Sequence, residues 1–400
     1  MKLGTGRRPL RRWALRRWRY VLALFAVVAV LACSLTLAVL GGMTGGRAAA
    51  AGKVSSPDTR RSPGTLTAAG ALRAFNAAFA VNAGKALVYR LSTAGGSTTL
   101  FKESELMEMA VDAYGRTHQP SLLRTLKALY HGLLLKEGRN WLRARSNDDL
   151  MWSALMCMHL YQATGDATYL SRARTIFDRT YARAWSADLG GGLWNTVARA
   201  SKNTCVVAPA IMTAGDLYLA LHVPRYLRIA KTLFAWMQTH LYDAGSGAVW
   251  DNVSEGAGGT IVDRRTFTYN QGGFLGAADL LYRITGVRAY HTECLKALAY
   301  TETDMTTGGG ILKAESGTGP TQFDSAGGFK GIFVRNAWGV IGRYGLRGAA
   351  HWLRANAKAA RACADARGLI DEDWSRPTGS GTLSAFSCSS AVVLLQMTGP

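Results

Sequence analysis

An internal repeat constrains this chain more than any other feature. Leu160-Tyr161 is followed eight residues later by Tyr169, then by Ala173 and Phe177. Leu217-Tyr218 is followed in the same way by Tyr226, Ala230 and Phe234, and Leu281-Tyr282 by Tyr290, Cys294 and Leu298. The copies stand 57 and 64 residues apart. Self-similarity at such a period marks stacked units that cannot bury their apolar faces alone. A turn follows the first Tyr, signalled by Thr164-Gly165-Asp166 and Thr285-Gly286. Beyond the turn, apolar residues fall at i, i+4 and i+8, the spacing of one helix face. Each copy is therefore a helical hairpin.

The same periodicity predicts helices over Ser104–Tyr114, Pro120–Leu135, Asp149–Tyr161, Tyr169–Thr180, Pro209–Leu221, Arg225–His240, Gln271–Ile284, Tyr290–Thr301, Lys330–Arg343 and Ala349–Ala366. Strand patterns are nearly absent. Apolar periodicity begins at Leu72, Phe75 and Phe79, and about six hairpins fit in residues 66–400. The expected fold class is all-α, a six-hairpin α/α toroid (α/α barrel); periodicity alone leaves an open solenoid as the alternative.

Ahead of that domain the sequence changes character. Residues 1–20 form a basic n-region with eight Lys and Arg and no acid, residues 21–40 carry no charge, and residues 41–65 read as a linker. Twenty apolar residues can span a bilayer. With Ala48-Ala49-Ala50 as a cleavage site, the same run serves as a signal h-region. Both readings, cleaved signal and retained transmembrane anchor, keep the basic flank in the cytoplasm and place the domain outside. Setting aside the n-region lowers the formal net charge from +21 to +13. The remaining basic residues are scattered and form no nucleic-acid motif, so nucleic acid is not an expected partner. A basic exterior suits an anionic cell envelope. The six cysteines form no C-x-x-C pattern and the seven histidines no ligating pair, so neither metal nor cofactor is expected. Cys363–Cys388 is a candidate disulfide in an oxidising compartment.

Polar groups precede the first helix of each repeat: Asn147-Asp148-Asp149, Lys202-Asn203 and Tyr269-Asn270-Gln271-Gly272. Equivalent ends of repeated hairpins share one rim, so these groups should converge there, beside Gly190-Gly191-Gly192 and Gly308-Gly309-Gly310. Asp148 and Asp149 could simply cap a helix, where carboxylates favour the macrodipole. A cap needs one carboxylate, however, and an aromatic, Trp152, follows one turn on. Retaining glycoside hydrolysis needs two carboxyls about 5–5.5 Å apart. The positive helix end would hold one Asp ionised, and that charge would raise the other's pKa and keep its proton available.

Taken in order, Asn147-Asp148-Asp149-Leu150-Met151-Trp152, Thr164-Gly165-Asp166-Ala167-Thr168-Tyr169-Leu170, Gly191-Gly192-Leu193-Trp194-Asn195, Lys202-Asn203, Thr268-Tyr269-Asn270-Gln271-Gly272 and Phe329-Lys330-Gly331-Ile332-Phe333-Val334-Arg335 resemble glycoside hydrolase family 76, the endo-α-1,6-mannanases. The resemblance runs from about residue 70 to 345. It implies an α/α toroid and a metal-free retaining mechanism, with Asp148 as nucleophile and Asp149 as acid/base. It further implies substrate contacts from Asn147, Trp152, Trp194, Asn195, Lys202, Asn203, Tyr269, Asn270, Gln271, Gly272 and Lys330. The expected partner is an α-mannan or another mannose-containing glycan, met by a monomer. The family pattern is broken at Ser153, where a second Trp is usual, at the single Trp194, and in the apolar run Thr204–Ala208.

Three other readings compete. An isoprenoid-diphosphate enzyme would want a third carboxylate four residues after Asp148, where Trp152 stands. A transglycosidase on the same scaffold would use the same carboxylates with a sugar acceptor. A non-catalytic glycan-binding toroid of the envelope would not need the Asp pair. The location is directly testable: a reporter joined after residue 66 is expected to be active only outside the cytoplasmic membrane, and activity confined to the cytoplasm would refute export.

Overall fold

The computed structural model describes residues 66–315 and 325–399; the n-region, apolar run and linker of the sequence reading lie outside these residues. Among the described residues there are twelve α-helices: α1 (Ala68–Phe79), α2 (Leu100–Thr117), α3 (Pro120–Glu137), α4 (Asn147–Thr164), α5 (Ala167–Ala184), α6 (Thr204–Leu221), α7 (Pro224–His240), α8 (Thr268–Thr285), α9 (Arg288–Asp304), α10 (Phe329–Tyr344), α11 (Arg347–Ala362) and α12 (Ala385–Thr398). The even-numbered helices form an inner ring. Each packs on the next, and α12 packs back on α2, which closes the ring. The odd-numbered helices return along the outside, with α1 beside α12. Pro63–Pro400 is one compact unit. The closed toroid is thus the fold, and the solenoid alternative falls.

The repeat has a local cause. Inner helices α2, α4, α6, α8 and α10 end in residues of left-handed conformation: His118, Gly165, His222, Gly286 and Gly345. In the first four, the cap N–H donates to the carbonyl of Tyr114, Tyr161, Tyr218 or Tyr282. The first repeat Tyr is therefore the residue four before a left-handed C-cap, and Tyr114 is a further copy. The second repeat Tyr joins neighbouring hairpins edge to face. Tyr169 meets Tyr130 of α3 at 4.8 Å, Tyr226 meets Phe177 of α5 at 5.8 Å, and Tyr290 meets Phe234 of α7 at 5.2 Å between ring centres.

Several boundaries differ from the sequence reading. Helix α12 was not expected because it is apolar and buried all round, so no stripe marks it. Helix α6 starts at Thr204, not Pro209, and absorbs the proline as its sixth residue. Helix α11 ends at Ala362, short of Ala366. Two small antiparallel sheets are also present, β1 (Ala80–Ala83), β2 (Ala86–Ser92) and β3 (Gly95–Ser97), and β4 (Lys202–Asn203), β5 (Asn252–Gly256) and β6 (Gly259–Asp263). They are too short or too exposed to show alternation. Cys363 and Cys388 are separate buried thiols, which corrects the candidate disulfide.

The bore of the ring holds buried charge. Arg335 of α10 pairs with Glu105 at 3.0 Å and with Asp112 at 2.9 Å, both on α2. Glu108 of α2 meets His159 of α4 at 2.7 Å, and Asp216 of α6 lies 3.9 Å beyond. Burial pushes Glu105 up to about 7 and Asp112 up to about 6, outweighing the pull of Arg335. His159 is raised to about 9, because Glu108 overcomes the cost of burying the cation. Since Glu105 and Asp112 keep protons that the unfolded chain has lost, their contribution to stability is complete below about pH 4 and declines as pH rises through 7. Arg335→Met should leave both carboxyls uncompensated and cost about 3–5 kcal/mol. Urea unfolding at pH 7.5 and pH 5 checks this: the deficit should be smaller at pH 5, and a pH-independent deficit would count against the network.

Candidate active site

The N-termini of the inner helices share one rim and surround a cavity of about 490 Å³. Its lining comprises Thr99, Phe101, Asp148, Asp149, Trp152, Asn203, Cys205, Asp251, Arg265, Phe267, Tyr269, Ala326 and Phe329. Phe101, Asp148, Cys205 and Tyr269 are each the second residue of their inner helix, α2, α4, α6 and α8. Helix geometry aims the same position of these four inner helices at the same space.

The backbone of α4 is fixed at its start by a small lattice. Ser146 caps the helix, accepting from the Asp149 N–H at 3.0 Å and donating to Asp149 Oδ1 at 2.8 Å. The Asn195 carbonyl accepts from the N–H groups of Asn147 (2.8 Å) and Asp148 (3.3 Å). The Asn147 side chain donates to the Trp194 carbonyl at 2.7 Å and accepts from Arg183 Nε at 2.7 Å. Both carboxyls are raised in pKa. Burial, reinforced by the charges of Asp149 and Asp251, pushes Asp148 up to about 7 against the pull of Cys205 and Trp152. Burial also raises Asp149, and its hydrogen bonds from Ser146 and its own N–H act in the opposite direction. The sequence reading expected the helix terminus to hold one of the two ionised; burial raises both. Asp148 Oδ1 and Trp152 Nε1 are buried without a well-aligned hydrogen bond, although Trp152 stands close enough to draw the Asp148 pKa down.

Asp251 adds a third carboxylate. It accepts from the Tyr269 hydroxyl at 2.5 Å and from Asn252 Nδ2 at 2.9 Å, with Arg265 at 3.9 Å. Sequence reading missed Asp251, which lies outside the repeated hairpins, as well as Arg265 and the aromatic wall of Phe101, Phe267 and Phe329. The second-residue rule was the available signal for Phe101 and Cys205.

Other expected contacts are spent inside the protein. Lys202 is fully buried; its Nζ donates to the carbonyls of Ser186, Asp188 and Gly191 at 3.1, 2.5 and 2.6 Å, which ties down the glycine loop. It lies over the Trp194 ring, itself buried, at 4.7 Å. Lys330 is fully buried over Trp374 and donates to the carbonyls of Leu312 and Glu372. Asn270 donates to the Val249 carbonyl at 3.3 Å. Gln271, in the orientation that satisfies both its ends, bonds the Gly247 carbonyl at 3.2 Å and the Val249 N–H at 2.8 Å. Gly272 lets α8 cross α10 closely, since a Cβ there would stand 2.5 Å from Phe333 Cα. With Asn147 and Asn195, these residues support the rim from behind and do not line the cavity.

A closed α/α ring with adjacent carboxyls and an aromatic wall at one rim defines a carbohydrate-processing toroid. The chain belongs to glycosyl hydrolase family 76, whose sequence model matches residues 68–398. The α-1,6-mannanase GH76A of Salegentibacter sp. HEL1_6 is similar in structure, with a TM-score of 0.76 and 27% identity over 83% of this chain and 97% of that one. An inactive variant of that mannanase, with two consecutive aspartates changed to asparagine, is known in complex with α-1,6-mannotriose; it scores 0.76 at 26% identity, covering 83% and 97% of the two chains. The Lin0763 protein of Listeria innocua scores 0.75 at 26% identity, covering 84% of this chain and 96% of its own. The meiotically up-regulated gene 191 protein of Schizosaccharomyces pombe is 30% identical over 121 residues, which is 28% of this chain and 27% of the relative's length.

The raised pKa of Asp148 has a stability consequence. A carboxyl whose folded pKa lies above its unfolded one costs stability as pH rises from about 4 through 7. Asp148→Asn should therefore raise the melting temperature by roughly 2–4 °C at pH 8, with the gain vanishing near pH 4. An unchanged or lowered melting temperature at pH 8 would show that Asp148 is not held under electrostatic strain.

Proposed function

We propose that this protein hydrolyses α-1,6-mannosidic linkages with retention of configuration, using Asp148 as nucleophile and Asp149 as acid/base. The observation that carries the proposal is the adjacent carboxyl pair in the cavity, both members raised by burial. Near neutral pH such a pair shares protons, and retaining hydrolysis needs one carboxylate and one carboxylic acid side by side. Support comes from the mannanase whose consecutive aspartates were replaced in the inactive complex. Asp149 gives its proton to the departing oxygen as the Asp148 carboxylate bonds to C1. Asp149 then takes a proton from water, which attacks C1, releases Asp148 and leaves an α-configured sugar. The partly exposed rings of Phe267 and Phe329 offer apolar faces to the pyranose, and the buried Trp152 lines the same cavity beside Asp148. An envelope location or fungal mannan as substrate fits the export expected from the sequence and belongs to the same proposal.

The nucleophile must be ionised and its partner protonated, so kcat/KM should rise and then fall with pH. The two pKa values belong to the pair. Asp251→Asn removes a charge that raises Asp148, so its acid limb should shift to lower pH. On α-1,6-manno-oligosaccharides, either Asp→Asn change should cost at least about 10²–10⁴-fold. Asp149→Asn should recover its first step on an activated aryl mannoside; Asp148→Asn should not. Initial release of β-configured sugar would overturn retention, and near-normal activity in both variants would overturn the site. Longer products on adding acceptor would move the reading to transglycosylation.

A further inference from the structure

Helix α8 has no cap of its own. Phe267 at its N-cap offers no side-chain acceptor, and no acid stands in its first turn. Glu315, 47 residues beyond Thr268 in the segment after α9, supplies the cap from a distance. Its Oε1 accepts from the Thr268 N–H at 2.5 Å, and its Oε2 accepts from the Thr268 hydroxyl. A carboxylate at this place satisfies an open N–H and complements the positive helix end. Thr268 is buried, which makes an unpaired N–H there costly.

Glu315 is itself held. Thr306 and Leu312 bridge as an antiparallel pair ahead of it, and the Leu312 N–H donates to Asn356 Oδ1 at 2.9 Å. The Glu315 N–H donates to Glu372 Oε2 at 3.4 Å. Lys330, which donates to the Leu312 carbonyl at 3.3 Å, attracts both acids. Burial raises Glu315 to about 7; the Thr268 hydrogen bonds and the Lys330 charge oppose the rise, and Glu372 adds to it. On the other side of Thr268 the chain runs straight to the reaction. The next residue is Tyr269, whose ring meets Phe329 at 4.4 Å and whose hydroxyl donates to Asp251 at 2.5 Å. The Asp251 charge is one of the influences that raise Asp148.

We propose that Glu315 is a positioning residue for the reaction: by capping α8 it fixes the Tyr269 hydroxyl on Asp251 and so sets the surroundings of Asp148. The inference rests on the function proposed above. Glu315 is not part of the cavity lining and acts through Thr268 and Tyr269. A short hydrogen bond tolerates little displacement, so a slip of the first turn of α8 would be felt at Asp251. A cap that served stability alone would lower the melting temperature and leave the kinetic constants of the folded enzyme unchanged.

The test is steady-state kinetics of the full chain on α-1,6-mannotetraose at pH 8, where Glu315 is ionised, with melting curves to establish that each variant is folded. Glu315→Ala should lower kcat by about tenfold to a hundredfold and change KM far less. Glu315→Gln keeps an acceptor for the Thr268 N–H but lacks the charge, and should lose severalfold; it carries the test if the alanine variant does not fold. In a Tyr269→Phe background neither change should add to the loss, because both break the same link. Unchanged kcat in a folded Glu315 variant, a loss confined to KM, or losses that multiply with Tyr269→Phe would overturn the proposal. A wild-type chain that leaves the oligosaccharide intact would instead refute the function proposed above. The link is then read from Asp148 itself. The gain in melting temperature from Asp148→Asn at pH 8 should shrink in the Glu315→Gln background, since Asp251 is no longer held beside Asp148, and an undiminished gain would overturn the positioning.

Discussion

The closed ring depends on the pairing of Arg335 with Glu105 and Asp112. These groups come from α10 and α2, more than two hundred residues apart, and meet in the bore, where both carboxyls are buried and the guanidinium is largely so. Desolvation makes this arrangement expensive, as the raised carboxyls show, and such a pair is weak support for stability in itself. Its effect is to fix which helices can face one another: another register would bury an unpaired guanidinium. Five otherwise similar hairpins and the α12–α1 pair are thereby given one order of closure.

Once the ring has closed, its rim follows. Helices α2, α4, α6 and α8 point their second residues into the cavity, while the polar residues around them are absorbed into supports. Lys202 and Lys330 each bind several carbonyls at the start of α6 and α10. Gln271 and Asn270 hold the loop before β5. Cationic side chains thus keep the rim in place from behind, and the cavity itself keeps a cluster of acids, Asp148, Asp149 and Asp251, with Arg265 at its edge.

The sequence made the hairpins legible because the tyrosine that precedes a left-handed cap and the tyrosine that packs between neighbours recur with fixed spacing. It made the rim legible because equivalent ends of hairpins must share a side. It could not distinguish polar residues that face the cavity from polar residues that face the scaffold. Asp148, Asp149, Trp152, Asn203 and Tyr269 line the cavity; Lys202, Gln271 and Lys330, one or two positions away in the same motifs, turn inward. The 100° turn per residue of a helix, and in β4 the alternation of a strand, separate the two fates, and motif proximity registers neither. Nor could it find Asp251, whose position is set by a β-hairpin pairing with Asn203 across Asn252. Helix α12 escaped for the opposite reason: a helix buried on every side has no polar face to give it a period.

Helix α12 fills the last gap in the inner ring, between α10 and α2, and is the last helix to leave the ribosome among those described. Until it arrives, α2 and α10 have their flanks open, and Phe101 and Phe329 lack Phe386, which stands 5.3 and 6.3 Å from them. A nascent chain can stack its hairpins as they emerge but cannot complete the wall of its own cavity. The order of synthesis thus delays the formation of a working site until the whole domain has cleared the machinery that makes or moves it, a kinetic safeguard that arises from ring topology alone.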